Sequence, residues 1–167
     1  PASFHLRQGW FMTLYHGPDL SLGPVSLCLP DVHEIENAPA AADTLEAREQ
    51  WLSRAISGSD VVYFAIRVDG MLAGQIFLHG LGQKAGEAQV GLHLFDPSMR
   101  GRGVGAAALA LLQGYAAGQA GLKRLVFEVT ANQVAAVRAA EKCGFRRKGK
   151  SKNDPLQVVY SWDVPVP

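Results

Sequence analysis

Gly91-Leu92-His93-Leu94-Phe95-Asp96-Pro97-Ser98-Met99-Arg100-Gly101-Arg102-Gly103-Val104-Gly105-Ala106 is the stretch on which the reading of this chain turns. It begins as the end of an apolar strand, is interrupted by Asp96-Pro97, passes a glycine cluster and enters an alanine-leucine helix. The N–H groups that open a helix point outward without intrahelical partners, and the helix dipole favours an anion there by about 0.3–2 kcal/mol. Glycines in such a loop let a phosphate approach the backbone, because no Cβ stands in the way. A tight turn with close helix packing accounts for the same glycines, so both readings stand at this point.

Working outward, Glu87 to Phe95 precedes the cluster as a strand, and a helix runs from about Gly103 to Gln119. Its stripe of Val104, Ala108, Leu111, Leu112 and Tyr115 has helical spacing. Leu125 to Thr130 is the next strand, Asn132 caps a further helix that Gly144 closes, and Phe145–Lys150 with Gln157–Trp162 forms a last hairpin. Upstream, Val25 to Leu29 is a strand stopped by Pro30, and residues 31–42 form a loop or broken helix. Asp43 with Glu46 resembles a capping box for a helix whose apolar face is Leu45, Leu52, Ala55 and Ile56. Asp69-Gly70 predicts a tight hairpin between Val61–Arg67 and Met71–Leu78. The order is that of a mixed α/β domain.

The chain has 167 residues, 48% hydrophobic and 19% charged, which fits one domain with an ample core and excludes general disorder. Sixteen Lys and Arg balance fifteen Asp and Glu, so the net charge of +1 gives no case for a nucleic-acid or membrane partner. The apolar run Gly103–Leu112 is shorter than the roughly 20 residues that span a bilayer. Two cysteines, Cys28 and Cys143, do not suggest a disulfide scaffold, and the expected compartment is the cytoplasm. The five histidines show no metal-ligand spacing, so no metal is expected. Met12 is the first methionine. Residues 1–11 are therefore read as an upstream remnant and 12–167 as a single domain.

Three phosphate-binding schemes compete for the cluster. A P-loop needs Lys-Ser or Lys-Thr after its last glycine, whereas Ala106-Ala107 follows Gly105. A dinucleotide fingerprint is literally present as Gly101-x-Gly103-x-x-Ala106, with Glu128 downstream. Its first glycine should follow the strand at once, yet Asp96-Pro97-Ser98-Met99 intervenes, and only one crossover follows.

The third scheme is a resemblance. Arg100, Gly103 and Gly105 fit the Arg/Gln-x-x-Gly-x-Gly/Ala acyl-CoA motif of the Gcn5-related N-acetyltransferases (GNAT). A second half is similar as well: Leu125-Val126-Phe127-Glu128-Val129, an alanine-rich helix, then Glu141-Lys142-Cys143-Gly144-Phe145. Trp51-Leu52 and Phe64-Ala65-Ile66 resemble the branch that acetylates ribosomal-protein N-termini (RimJ and RimL). The likeness covers about residues 20 to 162.

It implies an α/β acyl-CoA N-acyltransferase fold, a mixed, mostly antiparallel sheet with helices on both faces. It also implies an enzyme that moves an acetyl group from acetyl-CoA, its co-substrate, to an amine by direct attack in a ternary complex. The amine (a protein N-terminus, an aminoglycoside, a polyamine or an amino acid) stays open, as does a homodimer. The diphosphate would lie on the amides of Gly101, Arg102, Gly103, Val104, Gly105 and Ala106, and the pantetheine arm along His93, Leu94 and Phe95. Arg100 and Arg102 would add charge near the phosphates, with a solvated role the alternative for both. Glu128 falls where several family members carry a base, and His93 is a second candidate. The family's cofactor-contacting Asn falls on Gln133, with Asn132 one residue early. The family's general-acid Tyr is replaced by Ala140, with Ala139 beside it, and Tyr160 would substitute only if the last hairpin folded back. That departure motivates the alternative of a catalytically inactive acyl-CoA-binding or interaction module. The basic run Arg146-Arg147-Lys148 is read as a solvated hairpin edge, and Asp31, Glu34 and Glu36 as an exposed acidic loop.

Overall fold

β-Branched and aromatic residues at alternating positions make most of this chain a sheet. The computed structural model describes residues 2–6, 10–15, 17–29, 31, 61–81, 84–95, 97–99, 101–119 and 121–165. Among these residues, ten strands and two helices follow in the order β1 (Ala2–Leu6), β2 (Trp10–Leu14), β3 (Leu20–Leu22), β4 (Val25–Cys28), β5 (Val62–Val68), β6 (Met71–His79), β7 (Glu87–Leu94), α1 (Val104–Ala117), β8 (Arg124–Thr130), α2 (Val134–Lys142), β9 (Arg146–Lys150) and β10 (Gln157–Asp163). A 3-10 turn, Pro97–Met99, lies between β7 and α1.

The strand order is β1-β2-β5-β6-β7-β8-β10-β9, with the β3–β4 hairpin attached to β5 beside β2. Among the described strands, only β2·β5 and β7·β8 are parallel. Asp69 and Gly70 both have positive φ, 51° and 80°, as a two-residue hairpin turn requires. The β3–β4 hairpin was not foreseen, because Leu20-Ser21-Leu22 is too short to show a period. Residues 1–11, set aside above, carry β1 and the start of β2. The expected helix that Asp43 opens, with Leu45, Leu52, Ala55 and Ile56 on its apolar face, lies outside the described residues.

One face of the sheet presents Phe64, Ile66, Ile76, Leu78, Leu125 and Phe127 to Ala108, Leu109, Leu112 and Ala116 of α1. Both described helices lie on this face and are fastened to each other. Gln113 Nε2 donates to the Cys143 carbonyl (2.8 Å), and the Cys143 thiol, kept protonated by burial, donates to the Ala106 carbonyl (3.3 Å). At the end of α2, Gly144 N–H bonds to Glu141 O (3.1 Å) and Phe145 N–H to Ala140 O (2.9 Å), a Schellman closure. The opposite face carries a second set of buried side chains, among them Tyr63, Phe77 and Gln75.

Candidate active site

Pairing between β7 and β8 stops partway. The ladder runs from Glu87↔Arg124 to Val90↔Phe127 and goes no further. From there Gly91–Leu94 follows β6, while Glu128–Thr130 follows β10. Between the parting strands opens a cavity of about 900 Å³. Backbone direction along β7 follows from one bond, Phe95 N–H to Ala73 O on β6 (2.9 Å). Amides alternate in direction along a strand, so those of Leu92 and Leu94 point away from β6, into the gap. A strand that has lost its neighbour thus offers donors to any extended ligand laid beside it.

The start of α1 stands at the same cavity. Gly101 and Gly103 have φ of 76° and 81°, a conformation that glycine adopts without strain. Gly103 is the N-cap and no side chain caps the helix. Ala107 N–H is the first to bond back, to Gly103 O (3.0 Å), which leaves the amides of Val104, Gly105 and Ala106 ahead of the first intrahelical bond. Gly105 is helical, and a Cβ there would meet only Leu92 Cδ2 at 3.6 Å and Ala139 Cβ at 4.0 Å, which is ordinary contact. The protein itself therefore does not need a glycine at 105. Since Gly105 lines the cavity, the missing side chain keeps ligand space open. Arg138 and Lys142, one turn apart on α2, bring positive charge to the same cavity.

On the face away from the helices, the gap is bordered by His93 of β7 and Glu128 of β8. His93 stands edge-on to Phe95, with ring centroids 5.5 Å apart. Glu128 Oε2 accepts a hydrogen bond from the Ser151 hydroxyl (3.3 Å). Phe77 lies across Gly91 on the floor of this side, so closely that a Cβ at 91 would collide with its ring. His79, whose imidazole pKa is lowered from the usual histidine value by burial, and Gln89 continue the wall.

Of the residues expected from sequence, His93, Leu94, Gly101, Gly103, Gly105, Ala106, Glu128, Asn132 and Gln133 line this one cavity. Phe95 and Val104 do not, their side chains being buried in the fold, and Arg102 is exposed outside the lining. Arg100 lies outside the described residues, as do Glu34 and Glu36, while Asp31 is exposed. Asn132 is not the cap of α2. The N-cap is Gln133, without a side-chain hydrogen bond, and Asn132 sits in the preceding turn with its carbonyl accepting from Val134 N–H (3.0 Å). At the position of the family's Tyr, Ala140 is fully buried, and it is Ala139 that reaches the cavity. Tyr160 pairs with Phe127 and is buried in the core, so it does not substitute. The basic run forms β9, the sheet's edge, with Arg146, Arg147 and Lys148 exposed. Ser151 was missed, since nothing local connects it to a carboxylate 23 residues earlier. Among the described residues no three His, Cys, Asp or Glu side chains cluster as metal ligands.

A half-open pair of parallel strands, joined by a helix whose uncapped N-terminus faces the gap, agrees with the acyl-CoA N-acyltransferase fold expected from the sequence. Residues 20–146 match the family described as acetyltransferase (GNAT) domain, and the chain belongs to that family of N-acetyltransferases. Solved structures with the same fold include the ribosomal L7/L12 α-N-protein acetyltransferase RimL in complex with coenzyme A (16% identity, 88% of this chain and 98% of that one, TM-score 0.64). Others are Mycobacterium smegmatis RimJ in complex with CoA-disulfide (18%, 84% and 82%, TM-score 0.65) and the aminoglycoside acetyltransferase AAC(6')-Ib with coenzyme A (17%, 83% and 94%, TM-score 0.68). At these identities the likeness is one of fold. No curated protein matches the chain by sequence.

Proposed function

We propose that acetyl-CoA enters the gap between β7 and β8 and that an amine attacks its thioester from the face carrying Glu128 and His93. The observation that carries this reading is the parting after Val90 and Phe127, with uncapped amides at one end and a carboxylate beside it. The diphosphate rests on the amides of Val104, Gly105 and Ala106, where the helix dipole and the space at Gly105 both favour it. Arg138 and Lys142 add screening charge. The pantetheine arm takes the place of the missing strand neighbour along Leu92 and Leu94, and one of those amides donates to the thioester oxygen as charge develops there. A preorganised donor of this kind lowers the barrier by a few kcal/mol.

The nucleophile must be a neutral amine. At pH 7 a Lys side chain loses its proton at a cost of about 4–5 kcal/mol, and an α-amine at about 1–1.5 kcal/mol. Glu128 takes that proton, directly or through water, as the new C–N bond forms and the C–S bond breaks. The thiolate that leaves is protonated from solvent, because the buried Ala140 stands where the family's acid would be. A cytoplasmic setting belongs to this reading and is supported by a sequence that carries only two cysteines, too few for a disulfide scaffold. No helix among the described residues is long and apolar enough to cross a membrane.

Glu128→Gln tests it, since Gln keeps the shape and cannot take the proton. Turnover is expected to fall by about 10²–10⁴-fold with acetyl-CoA affinity nearly unchanged. The loss should shrink as pH rises, and be smaller for an amine of low pKa than for a Lys-like one. Undiminished turnover of the variant on a Lys-like amine at neutral pH removes Glu128 from the mechanism.

A further inference from the structure

The loop between β9 and β10 is built to hold one hydroxyl on Glu128. In β9 the register against β10 shifts between Val159 and Tyr160, whose partners are Gly149 and Arg147, so Lys148 is the extra residue of a bulge. Gly149 has φ 127°, a conformation that other residues adopt only under strain. A bulge bends its strand and re-aims the side chains beyond it. Ser151 is the first residue after β9, and it is 93% buried. Its N–H bonds to Gln157 O (2.9 Å), which fixes its backbone. Its Oγ accepts from Asn153 N–H (3.2 Å) and donates to Glu128 Oε2 (3.3 Å). The turn is closed further by Leu156 N–H to Asp154 Oδ1 and Gln157 N–H to Asp154 O, at 2.9 and 3.0 Å.

We infer that Ser151 is a positioning residue for Glu128, holding its carboxylate in the orientation that receives the amine proton. The inference rests on Glu128 being the base of the proposed reaction. An ionised carboxylate only accepts hydrogen bonds, and Asn153 N–H already supplies a donor to Ser151 Oγ, so the hydroxyl proton is directed to Glu128. The bond holds Oε2 and leaves Oε1 for the amine. A hydroxyl both donates and accepts, so the contact survives when the amine proton moves onto the carboxyl and when that proton later leaves to water. Fixing a base within reach of its proton is worth a substantial factor in rate, because small displacements of reacting groups are costly.

The test is a double-mutant cycle on thiol release, with acetyl-CoA and the best amine among a Ser-initiated peptide, an aminoglycoside and a polyamine. Ser151→Ala is expected to lower kcat by about tenfold, with KM for acetyl-CoA unchanged. Ser151→Thr, which keeps the hydroxyl, should recover most of that loss. In a Glu128→Gln background Ser151→Ala should cost nothing more, since its effect passes through the carboxylate. Equal losses from Ser151→Ala with and without Glu128, or no loss while Glu128→Gln is crippled, overturn the positioning role and leave the base in place. Full activity of Glu128→Gln, or no thiol release by the native protein with any of the three amines, overturns both. Melting curves of Ser151→Ala separate a kinetic loss from a folding loss, and a tenfold loss that Thr does not recover also counts against the inference.

Discussion

Val90 and Phe127 are the last residues at which β7 and β8 face each other as neighbours in the sheet. Each is also a core residue under α1 and α2, so the pairing ends where the core under the sheet is already closed. The opening beyond them is therefore held by the fold on one side and available to a ligand on the other. The candidate site is a missing stretch of ladder, with the helix amides at its mouth.

Gly105 gives the first prediction. A Cβ there would meet only ordinary contacts in the free protein, so Gly105→Val is expected to leave the domain folded, which its melting curve checks. Its side chain would stand where the diphosphate needs to approach, and acetyl-CoA binding should weaken by about tenfold or more. Isothermal calorimetry of a folded Gly105→Val checks it, and unchanged affinity would assign the glycine to packing.

Ligand-induced stabilisation gives the second. A ligand present at a hundred times its Kd and binding only the folded state adds about 2.7 kcal/mol, or roughly 5–10 °C for a chain of this size. Acetyl-CoA should raise the melting temperature by that order and NADH should leave it unmoved. The reverse result would restore the dinucleotide reading of Gly101-x-Gly103-x-x-Ala106.

Phe77 and Gly91 give the third. The Phe77 ring stacks on Tyr63 (5.8 Å, 8°) and leans against His79 (5.4 Å), so it has little room to yield to a Cβ on residue 91. Gly91→Ala should destabilise the fold by about 1–3 kcal/mol, as overpacking does. Phe77→Leu in the same chain should return part of that loss. Urea denaturation of the four proteins in the cycle measures the coupling, and additive effects would show that the two residues do not press on each other.

His79 gives a pH dependence. Burial lowers its pKa, so below the ordinary histidine value of about 6.5 the unfolded chain binds a proton that the folded chain resists. Stability should thus fall with pH from about 6.5 down to the folded-state value and stay level with respect to this group above 6.5. His79→Gln should flatten that part of the melting-temperature profile between pH 7 and 5. A profile identical to the parent's would mean that His79 is protonated without cost in the fold.

Much of this architecture was legible because it is written locally. Asp69-Gly70 names its own turn, the four-residue spacing of Val104, Ala108 and Leu112 names the buried stripe of α1, and Gly144 marks the end of α2. The parting itself was not legible, because β7 and β8 alternate in the same way on both sides of Val90 and Phe127. Pairing is a property of two strands, and neither sequence records where the other turns away. Ser151 was hidden for the same reason, its partner lying across β10 rather than along the chain. Asn132 misled because a good capping residue one position early looks like a cap, while the chain takes Gln133 instead.

The most direct test of acetyl transfer at this gap is the stoichiometry of thiol release to N-acetylated amine, by mass spectrometry, in the native protein and in Gly105→Val. The account predicts one acetylated amine for each thiol in the native protein, and both products lost together when the diphosphate's approach is filled. Saturable acetyl-CoA binding with no acetylated amine from any peptide, aminoglycoside or polyamine would contradict it and leave an acyl-CoA-binding module.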